Sequence, residues 1–186
     1  MPEEEVKTNS IYLAEIKDGD RVMDYGCGTG TLCDLLISRY PHCDLLGLDV
    51  DAEILKIAEK KRKGRFKIKL FDGQKIPYPE NAFDKVIATW VFHHLTEKQK
   101  VNSLNEIHRV LAPKGLFIVA DWGKPRGLLQ SVLFFLVRLI DNFETFRIHK
   151  DGKFPELIEK TGFSKVETSG YKKTLFGTLY YYVIHK

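Results

Sequence analysis

Three glycines at alternate positions, Gly26, Gly28 and Gly30, stand between a short apolar run, Val22-Met23-Asp24-Tyr25, and a helical pattern that begins at Leu32. That order spells a strand, a tight turn and a helix start. Glycine accepts positive φ and lets a ligand come against bare backbone, so such a turn at the carboxyl end of a strand makes a ligand-binding loop. Two carboxylates narrow the ligand. Asp49 closes the next apolar run, Leu45-Leu46-Gly47-Leu48, where it can accept hydrogen bonds from both hydroxyls of a ribose. Asp24, two residues before the first glycine, can hold an ammonium group directly or through water, and a dinucleotide has none.

The stretch resembles motif I of class I S-adenosylmethionine-dependent methyltransferases: an apolar strand, Asp or Glu, any residue, then Gly-x-Gly-x-Gly. From Asp20 onward the chain follows that family's order of elements. The resemblance is closest to the small-molecule branch typified by ubiquinone and menaquinone biosynthesis methyltransferases, the type 11 domain. It is carried by Phe71-Asp72-Gly73, Ile76-Pro77-Tyr78-Pro79, Phe83-Asp84, His93-His94-Leu95 and Arg109-Val110-Leu111-Ala112-Pro113-Lys114-Gly115. In the last of these the family usually has Pro-Gly-Gly, and Lys114 takes the first glycine's place. The resemblance implies S-adenosylmethionine as cofactor, S-adenosylhomocysteine as product and no metal. It also implies a cofactor site built from Asp24, Tyr25, Gly26, Cys27, Gly28 and Gly30, from Asp49 and Val50, from Asp72, Gly73 and Gln74, and from Thr89. In that scheme Asp72 accepts from the adenine amino group and the Gly73 region donates a backbone N–H to the ring nitrogen beside it.

With 186 residues, 44% hydrophobic and 29% charged, the chain is expected to form one domain, residues 1–186, with an N-terminal segment (1–18) and an insertion at 122–150. A net charge of +4 does not by itself select a nucleic-acid or membrane partner. Cys27, Cys33 and Cys43 are an odd number without a secretory signal before them, which points to free thiols in the cytoplasm. Their spacing lacks the histidine partners of a zinc site.

Strands are expected at Arg21 to Tyr25, Leu45 to Asp49, Phe66 to Leu70, Phe83 to Ala88 and Leu116 to Asp121, alternating with helices, which demands a parallel sheet with right-handed crossovers. Lys67 and Lys69 alternating with apolar residues mark the third strand as an edge. Ser164 to Thr168 and Thr174 to His185 are joined by a short connection and must pair antiparallel. The fold is therefore α/β: a three-layer Rossmann-like sandwich on a seven-stranded, mostly parallel sheet whose last strand is antiparallel. Helical stripes are expected at Ile54, Ile57 and Ala58, and at Val101, Leu104, Ile107 and Leu111 behind the capping box Thr96-Glu97-Lys98-Gln99. A short helix is expected around Ile11, Leu13 and Ile16. Leu128 to Ile140 is apolar on almost every side but shorter than the ~20 residues a bilayer requires, so it reads as an extra helix covering the opening beside the fifth strand.

Methyl transfer from a sulfonium chiefly requires that the acceptor be held in line and water be kept out. The expected partner is a small, apolar or aromatic acceptor walled by Trp90, Trp122, Phe143 and Phe146, with His149 and His93 as candidates for proton transfer. The chain is expected to be a monomer or homodimer, with no transmembrane segment and no nucleic-acid partner. A nicotinamide oxidoreductase is disfavoured by Thr31, where a third glycine or alanine belongs. A nucleic-acid base methyltransferase is disfavoured by Thr89-Trp90-Val91, which lacks the Pro-Pro-aromatic pattern after the fourth strand. A metal-dependent catechol enzyme is disfavoured because Thr89 supplies no carboxylate. Two alternatives stay open: a catalytically silent scaffold that binds S-adenosylmethionine, and a protein or RNA methyltransferase.

Overall fold

The computed structural model describes residues 3–62, 64–127, 151–174 and 177–186. Its seven strands are β1 (Arg21–Tyr25), β2 (Asp44–Asp49), β3 (Lys67–Leu70), β4 (Phe83–Thr89), β5 (Leu111–Gly123), β6 (Lys165–Lys173) and β7 (Thr178–His185). They form one sheet in the order β3-β2-β1-β4-β5-β7-β6. The first five are mutually parallel, while β7 runs antiparallel to both β5 and β6. Among the described residues the helices are α1 (Glu3–Leu13), α2 (Thr31–Arg39), α3 (Ala52–Arg62), α4 (Glu97–Val110) and α5 (Phe154–Glu159), with one 3₁₀ turn at Phe92–His94.

Alternation along each strand builds two cores, because successive side chains leave opposite faces of the sheet. Met23, Leu46, Leu48, Val86, Phe117 and Val119 pack on one face against Leu104 and Ile107 of α4 and Phe154 and Ile158 of α5. Val22, Leu45, Ile87 and Ile118 pack on the other against Leu32, Cys33 and Leu36 of α2 and Leu55 of α3. Asp24 falls on the second face, beneath α2, which is why a carboxylate comes to lie in an apolar layer. The strand order reverses between β1 and β4, and both strands open at their carboxyl ends onto the same side of the sheet.

Several elements depart from their sequence-based bounds. The first helix begins at Glu3, where Glu3, Glu4 and Glu5 occupy the positive end of its dipole. On α3, Leu55 and Ala58 are buried while Ile57 is 45% exposed, so the stripe is rotated by about one residue from Ile54-Ile57-Ala58. On α4 the buried positions are Lys100, Ser103, Leu104, Ile107 and Val110; Leu111 already belongs to β5. The capping box at Thr96 forms as expected, with the Thr96 N–H donating to Gln99 Oε1 at 2.9 Å. Lys114 adopts φ 64°, the left-handed conformation that the usual glycine accepts without strain. Of the expected insertion at 122–150 only Trp122 to Gly127 are described, Trp122 and Gly123 as the end of β5, while the expected cover helix, Leu128 to Ile140, and Phe143, Phe146 and His149 lie outside the described residues. No helix among the described residues is long and apolar enough to cross a membrane.

Candidate active site

The loop after β1 has Gly26, Gly28 and Gly30 at φ 76°, 54° and 75°, a succession of left-handed residues that side chains would resist. At Gly26 the restriction is also steric: a Cβ there would stand 2.5 Å from Val91 Cγ2. The loop hangs from β2, with the Gly26 and Cys27 N–H groups both donating to the Leu48 carbonyl, at 2.8 and 3.0 Å. Around Gly28 the space is open, since a Cβ would meet nothing within 4 Å. The Gly28 N–H donates to Asp49 Oδ2 at 2.7 Å, and the other oxygen accepts from Asp51 N–H at 3.0 Å. Each oxygen of that carboxylate keeps a second lone pair for a further donor.

Beside this loop lies a cavity of about 460 Å³, lined among others by Tyr25, Gly26, Asp49, Val50, Phe71 and Asp72 from the β1–β3 side and by Trp90, Val91, His94 and Leu95 from the β4 side. Gly73, Gln74, Ile54, Gln99 and Ser103 complete the wall. Val50 is 58% exposed there, an apolar surface on which a flat ring can rest. Tyr25 is fixed by its hydroxyl, 2.8 Å from Ser103 Oγ, and by rings of Phe71 and Phe92. Asp72 accepts from the N–H groups of Gln74 and Lys75 through Oδ1, at 2.8 and 3.0 Å, and these bonds hold its carboxyl below the usual range. The Asp72–Asn81 loop is clamped to α4 by Arg109, which donates to the Tyr78 and Ile76 carbonyls at 2.8 and 2.9 Å while paired with Glu106.

Asp24 is 1% exposed, and its Oδ1 has no hydrogen-bond partner among the described residues. Among the described residues Oδ2 receives only the Cys33 thiol, at 3.3 Å. Burial raises its pKa to about 6, the Lys7 ammonium and the Cys33 hydrogen bond opposing that rise and Asp49 adding to it. Burial also raises both neighbouring thiols, Cys27 and Cys33, which therefore stay protonated and inert.

Residues 23–119 match the methyltransferase domain family. The demethylmenaquinone methyltransferase of Thermus thermophilus is 31% identical over 166 residues, covering 82% of this chain and 72% of that protein. The chain belongs to this methyltransferase family. The ubiquinone/menaquinone biosynthesis C-methyltransferase of Methylococcus capsulatus is 28% identical over 191 residues, 87% of this chain and 74% of that protein; some other curated relatives are spanned over about half their length. An S-adenosylmethionine-dependent methyltransferase from Aquifex aeolicus has the same fold, with a TM-score of 0.69 over 96% of this chain and 88% of its own, at 19% identity. The enzyme is thus an S-adenosylmethionine-dependent methyltransferase.

The site of this methyltransferase brings together most of the residues expected from the sequence, though not all in the same way. Tyr25, Gly26, Asp49, Val50, Asp72, Gly73, Gln74 and Trp90 line the cavity. Asp24, Cys27 and Thr89 are buried beside it; the Cys27 sulfur turns away toward Gly47, leaving only its backbone for the loop. Gly30 caps α2. Trp122 packs with Trp90 around Val6 of α1, Ala120, Leu179 and Tyr181. His93 lies next to His94, ring centroids 3.8 Å apart, and its Nδ1 is 2.7 Å from Asp121 Oδ1. Among the described residues no group of three or more His, Cys, Asp or Glu could hold a metal. The lining residues that sequence reasoning missed are Ile54, Phe71, Val91, His94, Leu95, Gln99 and Ser103. Ser103 could have been found as a polar residue inside the buried stripe of α4.

Proposed function

We propose that this methyltransferase acts on a small, largely apolar aromatic acceptor of the quinol class. The reading is carried by the lining contributed by the β4–α4 connection, Trp90, Val91 and Leu95, which offers the acceptor side of the cavity an aromatic and apolar surface. Trp90 holds φ 58°, a strained conformation for an aromatic residue that costs on the order of 1–2 kcal/mol and commonly marks a functional position. The demethylmenaquinone and ubiquinone/menaquinone methyl transfers named for the Thermus and Methylococcus relatives fit such a surface.

On the donor side, Asp49 accepts the ribose hydroxyls with its remaining lone pairs, Asp72 takes the adenine amino group, and Val50 supports the ring. Asp24, with one buried oxygen lacking a partner, fits an ammonium group. S-adenosylmethionine, when bound, supplies a methyl group already activated on a sulfonium. The chain's own contribution is to bind, orient and dry the site, and orientation of this kind can contribute on the order of 7–11 kcal/mol.

The test is calorimetric titration with S-adenosylhomocysteine, followed by incubation with methyl-labelled donor and, separately, short-tailed demethylmenaquinone reduced to its quinol and a bulk tRNA fraction. Label in the quinol is expected. Label in tRNA alone, or tight binding with no labelled product, would overturn the acceptor reading in favour of an RNA enzyme or a silent scaffold.

A further inference from the structure

Gln99 belongs both to the capping box that starts α4 and to the wall of the cavity. Its Oε1 accepts from the Thr96 N–H and from the Thr96 hydroxyl, both at 2.9 Å. Those two donors fix which end of the amide is which, because a flipped amide would set its NH₂ against an N–H. Nε2 is left with two hydrogens, and no acceptor takes either of them among the described residues. The cap needs only the oxygen. Glutamate serves the same position in such boxes, so an amide there supplies donors that the helix start does not use. The face of α4 that carries Gln99 runs along the Asp72–Asn81 loop: Asn102 Nδ2 donates to the Gln74 carbonyl at 2.6 Å, and Glu106 accepts from the Ile76 N–H at 2.8 Å. Ser103, one turn after Gln99 on that face, holds the Tyr25 hydroxyl. Gln99 continues the face one turn earlier and is exposed, lining the cavity together with Asp72, Gly73 and Gln74.

We propose that Gln99 Nε2 donates a hydrogen bond to N7 of the cofactor's adenine, which makes Gln99 a determinant of cofactor specificity. The amino group of adenine stands between two ring nitrogens, N1 on one edge and N7 on the other. With Asp72 accepting from the amino group and the Gly73 region donating to N1, N7 is the neighbouring lone pair still without a donor; N3 stands beside the ribose, on the side of Asp49. A complete carboxamide reads adenine by accepting from the amino group and donating to N7. In Gln99 the accepting half is committed to Thr96. Only the donating half remains, and N7 is the atom it matches. The exposure of Gln99 agrees with this, since an adenine whose amino group and N1 face the loop turns its N7 edge outward.

This inference rests on the donor-side reading above, and its test separates the two. Wild type and Gln99→Glu are titrated calorimetrically at pH 8 with three ligands. They are S-adenosylhomocysteine, its 7-deaza analogue, in which C–H replaces N7, and S-inosylhomocysteine, in which a carbonyl oxygen replaces the amino group. Gln99→Glu keeps an oxygen for Thr96, so its unfolding midpoint is expected within about 2 °C of wild type. Wild type is expected to bind the 7-deaza analogue about five- to tenfold more weakly than S-adenosylhomocysteine. Gln99→Glu is expected to lose at least about tenfold in affinity for S-adenosylhomocysteine, because a carboxylate then meets the N7 lone pair, and to bind the 7-deaza analogue no less tightly than S-adenosylhomocysteine. Equal wild-type affinities for those two ligands would overturn the proposal, as would a Gln99→Glu protein that keeps the wild-type preference for N7. S-Inosylhomocysteine reads Asp72 instead. A wild type that binds it as tightly as S-adenosylhomocysteine refutes the Asp72 contact, and the 7-deaza comparison still decides for or against Gln99.

Discussion

Replacing Asp24 by asparagine should make the free protein more stable and the ligand-bound protein harder to form. The folded-state pKa of about 6 lies above the value near 3.8 of an unfolded aspartate, so the folded protein holds this proton more tightly. The group's contribution to stability is complete below about pH 4 and lost as pH rises through about 6, a difference on the order of 3 kcal/mol at 1.36 kcal/mol per unit. Asparagine removes the charge but leaves amide hydrogens to bury, which costs about 1–2 kcal/mol of that gain. A net gain of about 1–2 kcal/mol is therefore expected in urea unfolding at pH 8, turning into a net loss of about 1–2 kcal/mol near pH 4, where the charge term vanishes and the cost of the buried amide remains. The same variant should bind S-adenosylhomocysteine at least tenfold more weakly, since a charge-assisted hydrogen bond is worth about 1.5–3 kcal/mol. Near pH 6, where the carboxyl is about half protonated, wild-type binding should release about half a proton as the ligand's ammonium restores the carboxylate. That release makes the calorimetric heat depend on the buffer's ionisation enthalpy, and the dependence should vanish in the variant. Equal affinity together with an unchanged stability difference between pH 4 and pH 8 would refute the reasoning.

Asp49→Ala removes both the acceptor for the Gly28 N–H and the proposed ribose partner, so S-adenosylhomocysteine affinity is expected to fall at least tenfold by calorimetry. Gly26→Ala combines φ 76° with a 2.5 Å approach to Val91 Cγ2; about 1–3 kcal/mol of stability should be lost in thermal unfolding, and adding Val91→Ala should recover the steric share. Arg109→Lys cannot reach Glu106, Ile76 and Tyr78 together; it is expected to cost about 1–2 kcal/mol and to raise hydrogen exchange in the Asp72–Asn81 loop.

The sheet was legible because its signals are local: apolar runs of strand length, alternating lysines on β3, glycines where φ turns positive. The donor side of the site was legible for the same reason, since Asp24, Gly26, Asp49 and Asp72 each sit at the end of a strand whose place in the order follows from alternation. The rotation of α3 by about one position escaped because Ile57 is as apolar as its buried neighbours, and only the direction of approach of the sheet decides which is covered; on α4 Leu104, Ile107 and Leu111 are buried as expected and only Val101 is half-buried. The His93–Asp121 pair escaped for a different reason. Its partners are 28 residues apart, and their meeting depends on the β4–β5 register and on Trp90 entering the left-handed region, which a bulky aromatic residue does not announce in sequence.

Asp24 and Asp121 are both buried carboxylates at the carboxyl end of the sheet, yet their hydrogen bonding divides them. Among the described residues Asp121 accepts from the backbone N–H groups of His93 and Trp122 and lies 2.7 Å from His93 Nδ1, which leaves it little capacity for a ligand's cation. Its charge is committed to holding a backbone turn and a ring. Asp24 accepts from a single thiol and keeps one oxygen without a partner among the described residues, an arrangement that is unfavourable until a donor arrives. Leaving a carboxylate in that condition costs more than any turn or cap could return, whereas the sheet is held at its opposite end by Arg21, whose guanidinium grips Asp84 at 2.8 and 3.0 Å and ties β1 to β4. The two aspartates lie on opposite sides of the β1–β4 reversal, Asp24 on β1 and Asp121 on β5. The unsatisfied one is the carboxylate we propose for the ammonium group of the methyl donor, while the satisfied one holds the turn that follows β4.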